Sequence, residues 1–513
     1  MKKILKIAIL AVITTPLFAQ FTDLRFADQY ALAFSLPQLQ GNARFVGMGG
    51  AFGALGGNLS GLTTNPAGIG IYRRGDFVFT PTLAIGQTET QQVGGVNSPS
   101  RFNDRMGFNV MNFGLVNAWD ISRSESANEW KMVQLGFGVN RKADFWNRSS
   151  FTNTVDWTVL DELTWEANIH EVLDLPSGTL RGAAHGAGLI FFNGNYNVFD
   201  GRPGFFNDLN FVLVDTIFPN SDTVTSIWLR TTDGLTQHQT SETRGGINEW
   251  FLTFGGNFGD MLYLGATIGM PVVNFHQTRT LREVDEVGMH PDFTSWRLRE
   301  TLDISGTGVN LKLGAIIRPS DFMRIGVAFH TPTRFALREN LTIEATGIRT
   351  RTDRLDQFEY TLRTPMRLIG SLGFVIGRQA MIGIEYEHIN FGNMRLTGDD
   401  PQFDLDNDFI RDNYRTGGVF RVGGEFRLDP VNIRLGYNLT MSPFEANSEA
   451  AQNFTGHTFT AGLGFVLGST TIDIAYVNAL RGIDMQAYSG MPWNRYSVSA
   501  QQFQVTFGWR FGN

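Results

Sequence analysis

The sequence predicts an all-β protein, a transmembrane antiparallel β-barrel of about fourteen strands, and three observations carry that prediction. Apolar residues alternate with glycine, polar or charged ones at a period of two through most of the chain, the pattern of strands with one face in hydrocarbon and one in a lumen. Short connections take turns with long polar ones, as in a barrel with tight turns at one end and loops at the other. No window after the N-terminal segment carries the ~18 consecutive apolar residues of a membrane helix. A mean hydropathy of −0.11 fits, because the two faces of barrel strands cancel in any average.

The first nineteen residues stand apart. Lys2, Lys3 and Lys6 precede an apolar run from Ile7 to Ile13, and small Ala19 precedes Gln20. That is the pattern of a signal peptide cleaved after Ala19, since the run is shorter than the ~20 residues that span a bilayer. The mature chain is then expected to start at Gln20 with a formal charge of −10, from 39 basic and 49 acidic residues. A nucleic-acid partner is not expected at that charge. With no cysteine, an exported chain has to hold itself by packing and by closing its backbone hydrogen bonds.

Strands follow in order. In KMVQLGFGVN, Val133, Leu135, Phe137 and Val139 oppose Gln134, Gly136, Gly138 and Asn140. VNLKLGAII, MRIGVAFH, VNIRLGYNLT and the final QQFQVTFGWRFGN repeat the scheme. Tight links sit near Phe258-Gly259-Asp260, Arg318-Pro319-Ser320-Asp321, Gly377-Arg378-Gln379, Leu428-Asp429-Pro430 and Gly468-Ser469. Long polar stretches separate them at 277–297, 348–356, 392–413, 442–455 and 479–499. The expected spans are 76–86, 106–118, 130–141, 247–258, 261–276, 298–318, 321–336, 357–377, 379–391, 414–428, 431–441, 456–467, 470–478 and 500–511. An even number places both chain ends on the same, periplasmic side of an outer membrane.

Residues 142–246 read as a long extracellular loop insertion, far beyond the ~12–15 residues usual for an unstructured connection. Small elements of its own are therefore expected there, with LIFFNGNYNVF and LNFVLVDTIF as candidates.

Ahead of the first strand lies ARFVGMGGAFGALGG…NPAGI (43–69), almost all small side chains. This segment, with INEWFLTFGGNFGDMLYLGATIGMP (247–271), TGVNLKLGAIIRPSDFMRIGVAFHTPT (307–333), FRVGGEFRLDPVNIRLGYNLTMSPF (420–444) and FTAGLGFVLGSTTIDIAY (459–476), resembles the long-chain fatty-acid transporter family (FadL/TodX) of outer-membrane proteins. The resemblance covers nearly all of the mature chain except 142–246. It implies a fourteen-stranded barrel with an N-terminal hatch, or plug, over residues 20–75, and a barrel over 76–513. Asn65, Pro66 and Ala67 match the family's Asn-Pro-Ala motif; an ordinary turn before a strand would use the same residues. The family's paired acidic residues are missing, with Gly57-Asn58-Leu59 in their place, and the chain ends Phe511-Gly512-Asn513 rather than on an aromatic residue.

The function implied is passive outer-membrane transport of hydrophobic small molecules such as long-chain fatty acids, through a lumen pocket, hatch movement and lateral exit. The alternative is an outer-membrane receptor or cargo shuttle for haem or for protein cargo of type IX secretion, with a protein partner bound through 142–246. Outer-membrane lipid and the barrel-insertion machinery are the other partners expected. A kink in the family's third strand opens the lateral route, so Gly136 and Gly138 are lateral-opening candidates, although glycine in a strand equally marks close approach of a neighbour. Glu385, Glu387, Arg421, Glu425, Arg427, Arg434 and Asp473 alternate with apolar neighbours and should face the lumen. They read either as a headgroup site, with an arginine gripping a carboxylate, or as a structural ion-pair network.

Other chemistries fail on spacing. GMGGAFG puts Phe52 where a dinucleotide loop needs its third glycine, and His170-Glu171 has Asp174 where a zinc protease needs its second histidine. No Gly-x-Ser-x-Gly occurs, so no nucleophile elbow is expected. Asp404, Asp406 and Asp408 have calcium-loop spacing, but Phe409 and Arg415 stand where an EF-hand needs glycine and glutamate. A looser divalent-cation site in the acidic loop 399–412 stays open. No enzyme activity, cofactor or metal is implied.

Overall fold

In hydrocarbon a backbone has to satisfy its own hydrogen bonds, and a sheet does so only by closing on itself. The computed structural model describes residues 27–512 apart from 94–100, 123–128, most of 156–234, 287–293, 348–349, 401, 446–453 and 486–492. Fourteen strands close into one antiparallel barrel. They are β1 (Gly75–Gln92), β2 (Arg101–Asp120), β3 (Trp130–Asp144, continued by Asn147–Val155), β4 (Leu235–Phe258), β5 (Leu262–Asp285) and β6 (Ser295–Ser320). Next come β7 (Met323–His330, continued by Arg334–Thr346), β8 (Thr350–Arg363, then Arg367–Ile376), β9 (Ala380–Asn390) and β10 (Thr416–Leu428). The last four are β11 (Val431–Thr440), β12 (Gly456–Leu467), β13 (Thr470–Met485) and β14 (Asn494–Phe511). The barrel seals where β1 meets β14, with Gly75 opposite Phe511 and Phe77 opposite Trp509.

The alternation reports the faces correctly. Phe137, Phe254, Ile268, Leu313, Val327 and Leu435 stand exposed on the outer wall, whereas Gln134, Thr253, Thr267, Lys312 and Arg434 are buried inside. Tight turns gather at one end, the turn end, where Gly259, Gly377 and Gly468 take the positive φ that glycine tolerates. Long connections gather at the other, the loop end.

Each expected span lies on its own barrel strand, but the strands run further toward the loop end. The expectation of a loop from 142 to 246 is corrected here: β3 continues to Val155 and β4 begins at Leu235. These extensions, NRSSFTNTV and LTQHQTSETR, are mostly polar, with Phe151, Val155 and Leu235 as buried apolar exceptions, so period two fades from the sequence while the ladder persists. Within the insertion, Ile190–Val198 pairs with Arg202–Asn207 in a separate hairpin, which places a strand on LIFFNGNYNVF. LNFVLVDTIF lies outside the described residues, as do the expected signal and its cleavage site.

The N-terminal segment fills the barrel. Helix α1 (Ala27–Ser35) belongs to an apolar core at the loop end, where Tyr30 and Phe34 pack with Phe145, Phe275, Trp296 and Leu160. Below it, α2 (Ala43–Gly47) and two 3-10 turns, Ser60–Thr63 and Pro66–Ile71, form the compact plug. Phe45, Met48 and Phe52 make one small core, and Leu59, Leu62 and Ile69 pack on Val116 and Phe251 of the wall. Helix α3 (Gln402–Asn413) covers the loop end beside α1.

Candidate functional site

The Asn-Pro-Ala stretch is where plug and wall lock. Asn65 caps the turn Pro66–Ile71, its Oδ1 accepting from the Ala67 N–H at 3.1 Å, while Pro66 has no N–H to leave unsatisfied. The Asn65 amide donates to Gly53 O at 2.6 Å and to Ala315 O of β6 at 3.4 Å. Only glycine permits this approach: a methyl group on Gly314 would land on the Asn65 amide, and one on Gly265 of β5 on the Pro66 carbonyl.

The seven lumen charges divide into two clusters, one on each side of the plug. Toward the loop end, Arg421 donates to Glu385 at 2.7 Å and also to Glu387, and Arg367 donates to Glu387 at 3.0 Å. Glu385 also accepts from the Gly53 N–H of the plug at 2.9 Å. Toward the turn end, Glu425 accepts from Arg434 at 2.7 Å, from Arg427 at 3.0 Å and from Arg44 of α2 at 3.0 Å. Asp473 takes the other arm of Arg434 at 2.6 Å. Alternation gave the inward direction of these side chains; their height relative to the plug depends on register.

Above the plug is a cavity bounded by Phe34, Leu36, Leu39, Phe335 and Ile369 on its apolar side. Its polar side was not singled out from sequence. Lys312 of β6 and Lys142 of β3 share Glu249 of β4, Lys142 at 4.0 Å, and Asn310 donates to the same carboxylate at 3.0 Å. Arg141 donates to Gly245 O at 2.7 Å and keeps a buried Nε without a partner among the described residues. About 80 Å3 is free, well under the ~300–1,000 Å3 of sites that take drug-sized ligands. The segment Leu36–Gln40 between α1 and α2 forms part of its lining.

The wall beside this cavity has a gap, though not at the glycines. Gly136 and Gly138 sit in an unbroken ladder, opposite Val116 and Gly114 on one side and Thr253 and Phe251 on the other. Gly138 answers to close approach, with Gly114 and Phe251 against it, and Gly136 faces Ile69 and Leu62 of the plug. Pairing between β2 and β3 ends at Asn112 and Asn140, while β2 runs up to Arg101 along β1. From there β3 turns inward. Phe145 is drawn into the aromatic core, 5.3 Å from Phe275 and 5.6 Å from Phe34, and Trp146 covers Gly107. The continuation Asn147–Val155 crosses inside β1 and β2, with Thr88 donating to Asn147 at 2.6 Å and Asn103 to Ser150 at 3.0 Å. Side chains close the gap in place of backbone: Asn109 donates to Asp144 at 2.9 Å and Arg105 lies 4.9 Å over Trp146. Phe102, Met106 and Phe108 stand exposed along its edge. The sequence cue was the pair Phe145-Trp146 inside an otherwise polar run.

The acidic loop is not a loop. Asp404, Asp406 and Asp408 lie on α3, where two residues turn about 200°, so buried Asp406 points away from exposed Asp404 and Asp408, and Asp408 pairs with Arg411 at 2.6 Å. Among the described residues no group of three carboxylate or histidine ligands converges.

Solved structures share this architecture. The crystal structure of a Pseudomonas aeruginosa FadL homologue is similar over 93% of this chain and 100% of its own at TM-score 0.53 and 11% identity. The P. putida toluene transporter TodX matches 92% and 99% at TM-score 0.51 and 11% identity. The chain has the FadL/TodX fold. At that identity the likeness speaks for the plugged fourteen-stranded barrel. No protein-family model and no curated protein sequence matches the chain.

Proposed function

We propose that the protein is a passive outer-membrane transporter of hydrophobic small molecules with an acidic head, long-chain fatty acids among them. The observation that carries this reading is the break in backbone pairing between β2 and β3 above Asn112 and Asn140, closed by side chains alone, on the strand whose Arg141, Lys142 and Ala143 line the amphipathic cavity above the plug. The apolar core sealing the loop end leaves the side wall as the route by which a hydrophobic molecule can reach the bilayer without crossing a water-filled pore. Lys142, in the cavity lining two residues beyond the end of β2–β3 pairing, has a single long ion pair among the described residues and suits the head of a carboxylate ligand. Burial of the tail at ~25 cal/mol per Å2 supplies most of the affinity. Withdrawal of Leu36–Gln40, coupled to the plug, makes the room.

Equilibrium binding of radiolabelled oleate to the refolded protein, with haem as competitor, tests it. Saturable binding that haem leaves in place, and that Lys142→Met weakens about tenfold, is the expected result. Displacement by haem, or no saturable binding, overturns the reading and favours haem or a protein as cargo.

A further inference from the structure

A second cavity, of about 1040 Å3, opens at the turn end beneath the plug. Among the described residues, seven arginines and no lysine line it, against four carboxylates, Asp76, Glu425, Asp429 and Asp473, which leaves three positive charges. Arg44 and Arg434 are committed to Glu425, and Arg73 to Asp260. Arg74, Arg378 and Arg510 are exposed at the rim. Tyr72, more than nine-tenths buried, lines the same cavity with a hydroxyl that has no partner among the described residues. Arginine presents a planar fork of donors that matches carboxylate and phosphate oxygens, and a concave wall with an excess of one sign raises the local concentration of the opposite ion.

We infer that this vestibule binds a small water-borne anion of the carboxylate or phosphate class, carrying two or three charges, and that the anion loosens the plug by competing with Glu425 for Arg44. Bilayer headgroups meet the outside of the strand ring, whereas the vestibule opens inside it, so the ligand comes from solution. Arg44 is the coupling element because it belongs to α2 of the plug while its counter-ion, Glu425, belongs to the wall. The inference holds whatever molecule crosses the upper cavity, and it fails or stands separately from the oleate experiment.

Titration calorimetry on the full chain in a neutral detergent at low salt tests it, with citrate and inorganic phosphate as probes and soluble dihexanoyl phosphatidic acid as the lipid-headgroup arm. Saturable binding of a free anion is expected, weakened at least tenfold in Arg74→Gln/Arg378→Gln/Arg510→Gln, whose three side chains are exposed and leave the fold intact. Tyr72→Phe is expected to weaken it several-fold. Citrate should also speed amide exchange across residues 43–48 in the wild type, and not in the triple variant. Equal affinity of wild type and triple variant, equal response to sulfate and every other divalent anion, preference for the lipid probe alone, or unchanged exchange in the plug would each overturn it.

Discussion

Arg44 on the plug and Glu425 on β10 meet at 3.0 Å, and Arg434 of β11 closes on the same carboxylate oxygen at 2.7 Å. One wall carboxylate thus serves a plug arginine and a wall arginine together. Removing one partner of a buried ion pair leaves an uncompensated charge, which costs about 3–5 kcal/mol. Glu425→Gln is therefore expected to release the plug, with amide exchange over 43–57 accelerated by roughly a hundredfold or more, while the barrel keeps its heat-modifiable gel mobility. Exchange at the wild-type rate would show that the pair does not hold the plug.

The seat of the Asn-Pro-Ala turn makes a sharper steric test. Gly314 has the Asn65 amide against it, whereas Gly370 on the outer face has nothing within 4 Å of an added methyl group. Gly314→Val should unseat the plug and raise single-channel conductance in planar bilayers. Gly370→Val should leave conductance at the wild-type level. The same response from both variants would contradict the close-approach account.

The chain has no cysteine, so a reversible clasp can be placed across the wall gap. Asn109 and Asp144 face each other there at 2.9 Å. A bis-maleimide clasp in Asn109→Cys/Asp144→Cys should cut oleate uptake by cells at least fivefold and leave saturable binding to the purified protein unchanged. A reductant-cleavable linker should restore uptake when cleaved. Uptake at the wild-type rate with the clasp closed would place the route elsewhere.

Acid should loosen the turn Gly259–Met261. Partial burial pushes the Asp260 carboxyl up, but hydrogen bonds from Asn257 and Arg73 and the charges of Arg73 and Lys131 outweigh that and hold it below the usual range. A carboxylate with a depressed folded value contributes stability above the ordinary aspartate range near ~4 and loses it as pH falls through the depressed value. The half-exposed pair is worth no more than about 1 kcal/mol. The protection factor of the amides over 257–261, their slowing relative to an unstructured peptide at the same pH, is thus expected to fall about fivefold between pH 5 and 3, and Asp260→Asn should show no such acid step. A variant that keeps the step would assign it to another group.

Much of the barrel was legible because hydrocarbon imposes a strict rule on each strand. Phe137 and Val139 had to face out and Gln134 and Asn140 in, and the glycines at Gly259, Gly377 and Gly468 marked tight turns wherever positive φ was needed. Beyond the apolar band that rule lapses, so the extensions of β3 and β4 read as loop. A helix in place of the acidic loop escaped notice for a related reason. The three aspartates suggested a cage by spacing, while buried Phe403 and Ile410 carried the weaker helical signal.

The sequence by itself determined about fourteen strands and which face of each meets the bilayer, because these follow from period two and the solvent on each side, while the plug was legible only through the family resemblance of its small-residue segment. Tertiary structure alone decided height and contact. Glu385 and Arg421 lie above the plug and Glu425, Arg427 and Arg434 below it, and the wall parts above Asn140 rather than at Gly136 or Gly138. The reason is that alternation records only in or out, whereas register and the pull of Phe145 into a distant aromatic core depend on residues far apart in the chain.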